Sequence, residues 1–255
     1  MKPIQTFVTT LLMTWVGLIP VTQAVQAAEV SVAVAANFAA PMQKIATAFA
    51  QDTGHKAVLS IGSTGKFYTQ IKSGAPFQIL LSADDETPAL LEKEGLGTPN
   101  TRFTYAVGRL VLWSADAKLI DGRPEILKTG DFKHIAIANP KLAPYGAAAM
   151  QTLDKLGLSQ QLQSRVVQGE NIAQTYQFVA TGNAPLGFVA LSQVMVDGQM
   201  GAGSFWLVPP SMHEAIRQDA VLLTTGRDNP AALALMQYLK GDKAKAVIRA
   251  SGYVL

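Results

Sequence analysis

Four dipeptides lie where an apolar run ends and a helical pattern begins, and their residue types suit the binding of an anion. They are Ala36-Asn37, Ser63-Thr64, Pro144-Tyr145 and Asn171-Ile172. Asn, Ser and Thr are favoured at helix starts, where the first backbone N–H groups have no partner within the helix and attract anions. Each dipeptide alone is better explained as an ordinary helix cap, because such caps occur in every fold. Together with the export signal and the two α/β series described below, the four predict one shared anion site.

The first dipeptide lies between a predicted strand and a predicted helix. An alternating β-branched run precedes it, and Asn37 is the predicted N-cap. Met42, Ile45 and Phe49 then recur on one helical face, and Gly54 ends the helix. The helix N-terminus therefore follows the carboxyl end of a strand, which is where ligands of open α/β sheets bind.

Units of strand followed by helix recur in two series, one ending near Gly95 and one beginning at His134. Strands and helices that alternate at this spacing indicate parallel strands with helical crossovers. Residues 104–113 and 205–208 are predicted to be extended segments that cross between the two series.

The composition indicates an ordinary globular chain and excludes several classes of function. The 255 residues are 49% apolar and 15% charged, with a net charge of +3 that comes from no basic run. A nucleic-acid-binding surface is therefore not expected. The chain has no cysteine, so disulfides, thiol catalysis and cysteine-based metal sites are excluded.

The first residues have the layout of a secretory signal. Lys2 is the only charge before Glu29, residues 7–21 are largely apolar, and Ala27 completes a small-residue cleavage site. The alternative, an uncleaved membrane anchor, is disfavoured because the apolar run is short for a span and Pro20 interrupts it. We expect residues 1–27 to be a signal peptide, cleaved after Ala27, and the mature protein to be periplasmic.

Other sites suggested by local residue patterns are disfavoured. Gly65-Lys66 resembles part of a phosphate-binding loop, but Ser60 stands where that loop requires its first glycine, so Lys66 is expected to be a solvated helix residue. The acidic run 84–86 fits the first turn of a helix. The three histidines have no metal-ligand spacing and are expected to be surface or loop residues; they are His55, His134 and His213. No bare metal-ion site and no catalytic residue is predicted.

Six segments, in this order and spacing, resemble the molybdate-binding proteins of bacterial ABC importers over essentially the whole chain from Val30. They are Ala-Ala-Asn-Phe at 35–38, Gly-Ser-Thr-Gly at 62–65, Gly-Ala-Pro-Phe at 74–77, Leu-Ser-Ala-Asp at 81–84, Ala-Pro-Tyr-Gly at 143–146 and Ala-Pro-Leu-Gly-Phe-Val at 184–189.

The resemblance implies a set of residues that bind the oxyanion. The family's binding positions fall on Asn37, on Thr64 and on the backbone of Ile172. Many members carry a binding Tyr where this chain has Ala190, whereas one branch carries it in the Ala-Pro-Tyr-Gly loop, which implies Tyr145 here. Weaker candidates flank the first two positions, namely Ala36 and Ser63.

The resemblance also implies the architecture, ligand and partners. We expect an α/β, two-lobed periplasmic binding protein of type II, with mixed sheets, helices on both faces and a ligand cleft between the lobes. Lobe 1 is expected to comprise residues 28–108 plus 203–255, and lobe 2 residues 109–202. The expected ligand is molybdate or tungstate, with no cofactor, and the expected partner is the membrane permease of the importer. The protein is expected to be a monomer and not an enzyme.

The residue types agree with such a ligand, and two alternatives remain open. Uncharged donors without a carboxylate acceptor suit a fully deprotonated oxyanion, whereas the O–H of a protonated phosphate would be left unpaired. Sulfate satisfies the same rule, so a sulfate-binding protein is one alternative. An enzyme on the same two-lobed scaffold is the other.

Overall fold

The computed structural model describes residues 27–196 and 198–255. Residues 1–26 lie outside the described residues, and with them all of the expected signal peptide except Ala27. No helix within the described ranges is long and apolar enough to cross a bilayer.

Two five-stranded sheets form the framework. The strands are β1 (Glu29–Ala35), β2 (Lys56–Gly62), β3 (Ile79–Leu81), β4 (Phe103–Gly108), β5 (Leu110–Ser114), β6 (Ile135–Ala138), β7 (Val166–Gly169), β8 (Leu186–Ala190), β9 (Met195–Val196), β10 (Gln199–Met200), β11 (Ser204–Leu207) and β12 (Ile216–Leu222). The first sheet has the order β2-β1-β3-β12-β4 and the second β11-β5-β8-β6-β7, while β9 and β10 form a separate two-stranded ribbon.

Ten α-helices accompany these strands in the described part of the chain. They are α1 (Ala39–Thr53), α2 (Thr64–Lys72), α3 (Glu86–Lys93), α4 (Glu125–Thr129), α5 (Pro144–Lys155), α6 (Ser159–Leu162), α7 (Ile172–Ala180), α8 (Leu191–Val194), α9 (Pro230–Tyr238) and α10 (Asp242–Ala250). We call the first sheet with its helices lobe 1 and the second sheet with its helices lobe 2.

Both sheets are mixed. In lobe 1, β1 pairs in parallel with β2 and β3, and β12 runs antiparallel to β3 and β4. In lobe 2, β6 pairs in parallel with β7 and β8, and β5 runs antiparallel to β8 and β11. The parallel strands are those joined by helical crossovers, as the alternation in the sequence predicts.

Helices cover both faces of each sheet, which explains the long apolar runs in the strands. In lobe 1 the predicted helical face of Met42, Ile45 and Phe49 is fully buried against one side of the sheet. Phe67 of α2 and Leu91 of α3 pack against the other side. Lobe 2 has the same layering, with α5 on one face and α7 on the other.

The chain passes between the lobes at two places. The predicted crossing segment 104–113 is divided at Arg109 into β4 of the first sheet and β5 of the second. The second crossing, from lobe 2 back to lobe 1, lies later in the chain than expected. This is shown by β11, which pairs with β5, and by the Val208 amide, which donates to the Leu110 carbonyl. Residues 204–208 therefore belong to lobe 2, whereas the sequence analysis assigned residues from 203 onward to lobe 1.

The lobes also contact each other away from these crossings. The Gly65 amide of α2 donates to the Leu142 carbonyl of lobe 2 at 3.0 Å. On the other side, the Ser192 hydroxyl of lobe 2 donates to the Asn37 carbonyl of lobe 1 at 2.8 Å. Since the Gly65 and Asn37 contacts both bridge the cleft, the structure describes the lobes in a closed arrangement.

Candidate functional site

A small cavity lies between the lobes at the carboxyl ends of β1, β2, β6 and β7. The centre of a water-sized molecule can occupy about 10 Å³ of it, so the cavity is narrow in this arrangement. All six residues implied by the resemblance line it, namely Ala36, Asn37, Ser63, Thr64, Tyr145 and Ile172. Among the described residues, those lining this cavity carry no charged side chain. The four dipeptides therefore converge on one uncharged, water-poor site shared by the two lobes.

At the first junction, the prediction that Asn37 is an N-cap is wrong. A 3₁₀ turn, Ala36–Phe38, precedes α1, with Ala35 and Phe38 at the respective cap positions and no side-chain cap. The Asn37 side chain lies within that turn and is buried, and its Nδ2 donates to Gln218 Oε1 at 2.8 Å and to the Tyr253 hydroxyl at 3.0 Å. The early turn thus frees the amide for a tertiary contact that a cap could not make.

The second junction supplies two hydroxyl groups. Ser63 occupies the N-cap position of α2, yet its side chain makes no cap hydrogen bond. Its Oγ is buried without any partner in the described residues. A buried hydroxyl left unpaired costs about 1–3 kcal/mol, so such a group needs an explanation. The position of Ser63 on the cavity wall provides one, because a bound ligand would complete its hydrogen bonding.

The Thr64 hydroxyl lies between the Ala83 amide and the Ser82 hydroxyl. Thr64 Oγ1 accepts the Ala83 amide at 3.0 Å and lies 3.3 Å from Ser82 Oγ. Ser82 in turn donates to Asp84 Oδ1 at 3.0 Å. Since a hydroxyl has one proton and Ser82 gives its own to Asp84, the Thr64 hydroxyl is the donor in the Thr64–Ser82 contact, and an anion in the cavity would compete with Ser82 for that proton.

The third junction places a tyrosine at the cavity. Pro144 is the first residue of α5, where a missing N–H has no cost, and Tyr145 follows it. Tyr145 is buried, and its hydroxyl accepts Gln218 Nε2 at 3.1 Å. Burial raises the pKa of Tyr145 well above its ordinary value, so the hydroxyl keeps its proton near neutral pH.

At the fourth junction the predicted N-cap is confirmed. Asn171 Oδ1 accepts the amides of Ala173 and Gln174, each at 3.0 Å. This cap satisfies the second and third N–H groups of α7 and leaves the first, that of Ile172, facing outward at the helix start. The Ile172 backbone is further held by Gln193, whose Nε2 donates to its carbonyl at 3.0 Å.

Sequence reasoning missed the residues behind the cavity that hold its walls. Gln218 contacts both Asn37 and Tyr145, and the Tyr253 hydroxyl donates to the Asn37 carbonyl at 2.8 Å or to Ser192 at 2.9 Å. Burial raises the pKa of Tyr253 to about 12, so it too stays protonated. The available signal was Gln218 itself, an amide beside the apolar run of a buried strand.

Lys66 and Glu170 each lie close in sequence to residues that line the cavity, and they pair with each other. Lys66 was expected to be solvated, and its side chain is 44% exposed. Its Nζ nevertheless lies 2.6 Å from Glu170 Oε2, which belongs to lobe 2. The pair therefore joins the lobes beside the site and adds no net charge to it.

The outcome for other polar residues is mixed. The three histidines lie in loops as predicted, but His55 and His213 are buried; His55 Nδ1 accepts the Ala28 amide and His213 contacts the Glu214 carbonyl. The acidic run is partly as predicted, since α3 begins at Glu86, but Asp84 is the residue that accepts the Thr87 amide. Within the described ranges, no group of three or more His, Asp or Glu is arranged to hold a metal ion.

Comparison with known proteins identifies the family. Residues 30–254 match the model of the bacterial extracellular solute-binding proteins. The chain belongs to that family. The molybdate-binding protein ModA of Azotobacter vinelandii is 62% identical over 232 residues, 91% of this chain and 92% of that protein. ModA of Rhodobacter capsulatus is 50% identical over 228 residues, 89% of each chain.

A solved structure shows the same fold. The periplasmic molybdate-binding protein of A. vinelandii superposes with a TM-score of 0.87 at 42% identity, covering 89% of this chain and 99% of that one. The predicted periplasmic binding protein fold, α/β with mixed sheets and two lobes, is confirmed. The resemblance inferred from the six segments is confirmed with it, since the relatives are named as molybdate-binding proteins.

The Lys66–Glu170 pair should slow the opening of the cleft. We expect Lys66→Met to speed release of molybdate, the ligand named for the relatives, by no more than about fivefold, because exposed pairs contribute little. The difference should shrink at high salt, which screens exposed charges. Lys56→Met is the matched control, since Lys56 pairs with Glu29 at 2.8 Å within lobe 1. Equal release rates for the two variants in stopped-flow measurements would contradict the claim that the Lys66–Glu170 pair slows opening of the cleft.

Gly65 should be required for close approach of the lobes. A Cβ at Gly65 would lie 3.0 Å from the Leu142 Cα, and backbone there cannot move away as a flexible side chain can. We expect Gly65→Ala to lower affinity for molybdate about tenfold, since such crowding costs about 1–3 kcal/mol. Gly241→Ala, away from the cleft, is the control. An affinity equal to that of the control would show that closure tolerates the methyl group.

Proposed function

We propose that this protein captures molybdate, and tungstate by the same chemistry, and delivers the anion to the permease of an ABC importer. The proposal rests on one observation above all. The cavity between the lobes is lined by helix starts and hydroxyl groups, without a charged side chain among the described residues, and it contains the unpartnered Ser63 hydroxyl. The names of the 62% and 50% identical relatives support the choice of ligand.

An uncharged site of this kind suits a dianion that has lost its water. Backbone N–H groups at helix starts carry partial positive charge, and each hydrogen bond to a charged group contributes about 1.5–3 kcal/mol. Lobe 1 offers the turn at Ala36 and the hydroxyls of Ser63 and Thr64, and lobe 2 offers Tyr145 and the Ile172 amide. Because the donors come from both sides, the anion itself holds the lobes closed.

The same donors discriminate among oxyanions. The described residues that line the cavity include no carboxylate to accept a proton, so a protonated phosphate would have an O–H without a partner. Sulfate carries no proton either, and is disfavoured by size, because its shorter bonds would lengthen every contact at once. Because sulfate, like molybdate, carries no proton, a sulfate-binding protein is the second candidate function.

An enzyme on this scaffold is disfavoured by the contacts of the hydroxyl groups. The Ser63 hydroxyl has no hydrogen-bond partner among the described residues, and the Asp84 carboxylate, which Ser82 links to Thr64, is engaged by Ser82 and Thr87. Hydroxyl nucleophiles need an adjacent base within hydrogen-bond reach. Stoichiometric binding without turnover is the expected behaviour.

Export, subunit state and lobe boundaries complete the proposal. The signal layout of residues 1–27 and the periplasmic relative support a periplasmic protein cleaved after Ala27. It acts as a monomer, with lobe 1 comprising residues 28–108 and 209–255 and lobe 2 residues 109–208. Its partners are the anion and the membrane permease.

Calorimetric titration of the mature protein with four anions tests this function. Molybdate and tungstate should bind at one site per chain, with sulfate weaker and phosphate weakest. Tighter binding of sulfate than of molybdate would favour the second candidate. No binding of any of the four would refute the proposal.

Tyr145→Phe should weaken molybdate binding about tenfold to a hundredfold. The substitution removes one hydrogen bond to the anion, about 1.5–3 kcal/mol, and keeps the ring. Tyr238→Phe is the control, because its hydroxyl bonds Asp52 at the surface of lobe 1. Titrations in the same buffer measure both, and an unchanged affinity for Tyr145→Phe would mean that the ring serves only packing.

A further inference from the structure

Gln218 is a fully buried amide at the junction of the two lobes. It lies in β12, whose register against β4 shifts between Gln218 and Asp219. Such a β-bulge breaks the alternation of side chains and redirects them. Both neighbours are buried as a result, with Asp219 held by Arg102 and Thr104 while Gln218 reaches the wall of the cavity.

Both ends of the Gln218 amide contact residues that line the cavity. Its Oε1 accepts Asn37 Nδ2 of lobe 1 at 2.8 Å, and its Nε2 donates to the Tyr145 hydroxyl of lobe 2 at 3.1 Å. The Tyr105 hydroxyl lies 3.1 Å from the same Oε1 and donates to the Ser82 carbonyl at 2.8 Å. Gln218 therefore bridges the two lobes directly behind the site.

These contacts limit where the Tyr145 proton can point. A tyrosine hydroxyl has one proton to donate and lone pairs that accept. Since Gln218 Nε2 donates to the Tyr145 oxygen, the Tyr145 proton must point elsewhere. Two acceptors remain for it: the Tyr253 oxygen, which receives Asn37 Nδ2 at 3.0 Å and is itself hydrogen-bonded to Tyr145, and an anion in the cavity that Tyr145 lines.

We propose that Gln218 is a positioning residue that turns the Tyr145 hydroxyl into a donor toward the cavity. The inference rests on the proposed function and adds to it a residue that does not touch the anion. An acceptor in place of Nε2 would take the Tyr145 proton and leave a lone pair facing the dianion. Selectivity for a fully deprotonated oxyanion therefore depends on which atom of residue 218 faces Tyr145.

Two substitutions separate this role from packing. Gln218→Met keeps the length of the side chain and removes both hydrogen bonds, and should weaken molybdate binding about three- to tenfold. Gln218→Glu replaces the donor with a second acceptor and adds a buried negative charge, and should weaken it about a hundredfold or more. Wild-type affinity in Gln218→Glu would overturn the inference even if Gln218→Met failed to fold.

A double-mutant cycle tests whether Gln218 acts through Tyr145. In a Tyr145→Phe background there is no hydroxyl to orient, so adding Gln218→Met should cost no more than about twofold. Gln78→Met is the matched control, because Gln78 accepts Ser31 and Asn229 at the opposite end of the first sheet. This control should change the unfolding temperature of the ligand-free protein without changing affinity.

The outcomes are distinct. If the wild-type protein binds molybdate and Gln218→Met binds it equally well, Gln218 does not position Tyr145. Fully additive effects in the cycle would likewise reduce Gln218 to a structural role. Failure of the wild-type protein to bind molybdate would instead refute the proposed function itself.

Discussion

A dianion removed from water must be surrounded by hydrogen-bond donors, and the described residues that line the cavity of this protein carry no formal charge. The cost of desolvation is large, so every lone pair turned toward the ligand would be unfavourable. Backbone N–H groups at helix starts satisfy this condition, because they can only donate. A hydroxyl group satisfies this condition only when other donors occupy its lone pairs. The Ala83 amide donates to the Thr64 oxygen in this way, and the Gln218 amide donates to the Tyr145 oxygen.

The two-lobed architecture follows from the same requirement. One sheet edge offers donors over only part of a sphere, so a tetrahedral anion needs a second edge facing the first. The crossings at Arg109 and after Val208 allow two sheets to present their strand ends to one cavity. Contacts such as Gly65 with Leu142 and Ser192 with Asn37 then hold the closed arrangement around it.

The sequence predicted the parts of the site that depend on local structure. A strand end followed by a helix start is a short-range pattern, so the four dipeptides were found, and the Asn171 cap was assigned correctly. The Asn37 cap was wrong because a 3₁₀ turn beginning one residue earlier competes with capping. The second crossing was placed too early because an extended run does not reveal which sheet it joins.

The supporting network could not be predicted in the same way. Gln218 and Tyr253 lie 181 and 216 residues from Asn37 along the chain, and only the tertiary fold brings them together. His55 shows the same limit, since its burial depends on packing against the start of β1 and not on its neighbours in sequence.

A crystal structure of the mature protein with molybdate, using the anomalous signal of molybdenum, would show directly which groups hold the anion. We expect one anomalous peak in the cavity between the helix starts, with the molybdate oxygens within hydrogen-bond distance of Ser63, Thr64, Tyr145 and the Ile172 amide. A peak beside Lys66 or Arg217, with the cavity empty, would contradict the claim that uncharged donors hold the anion.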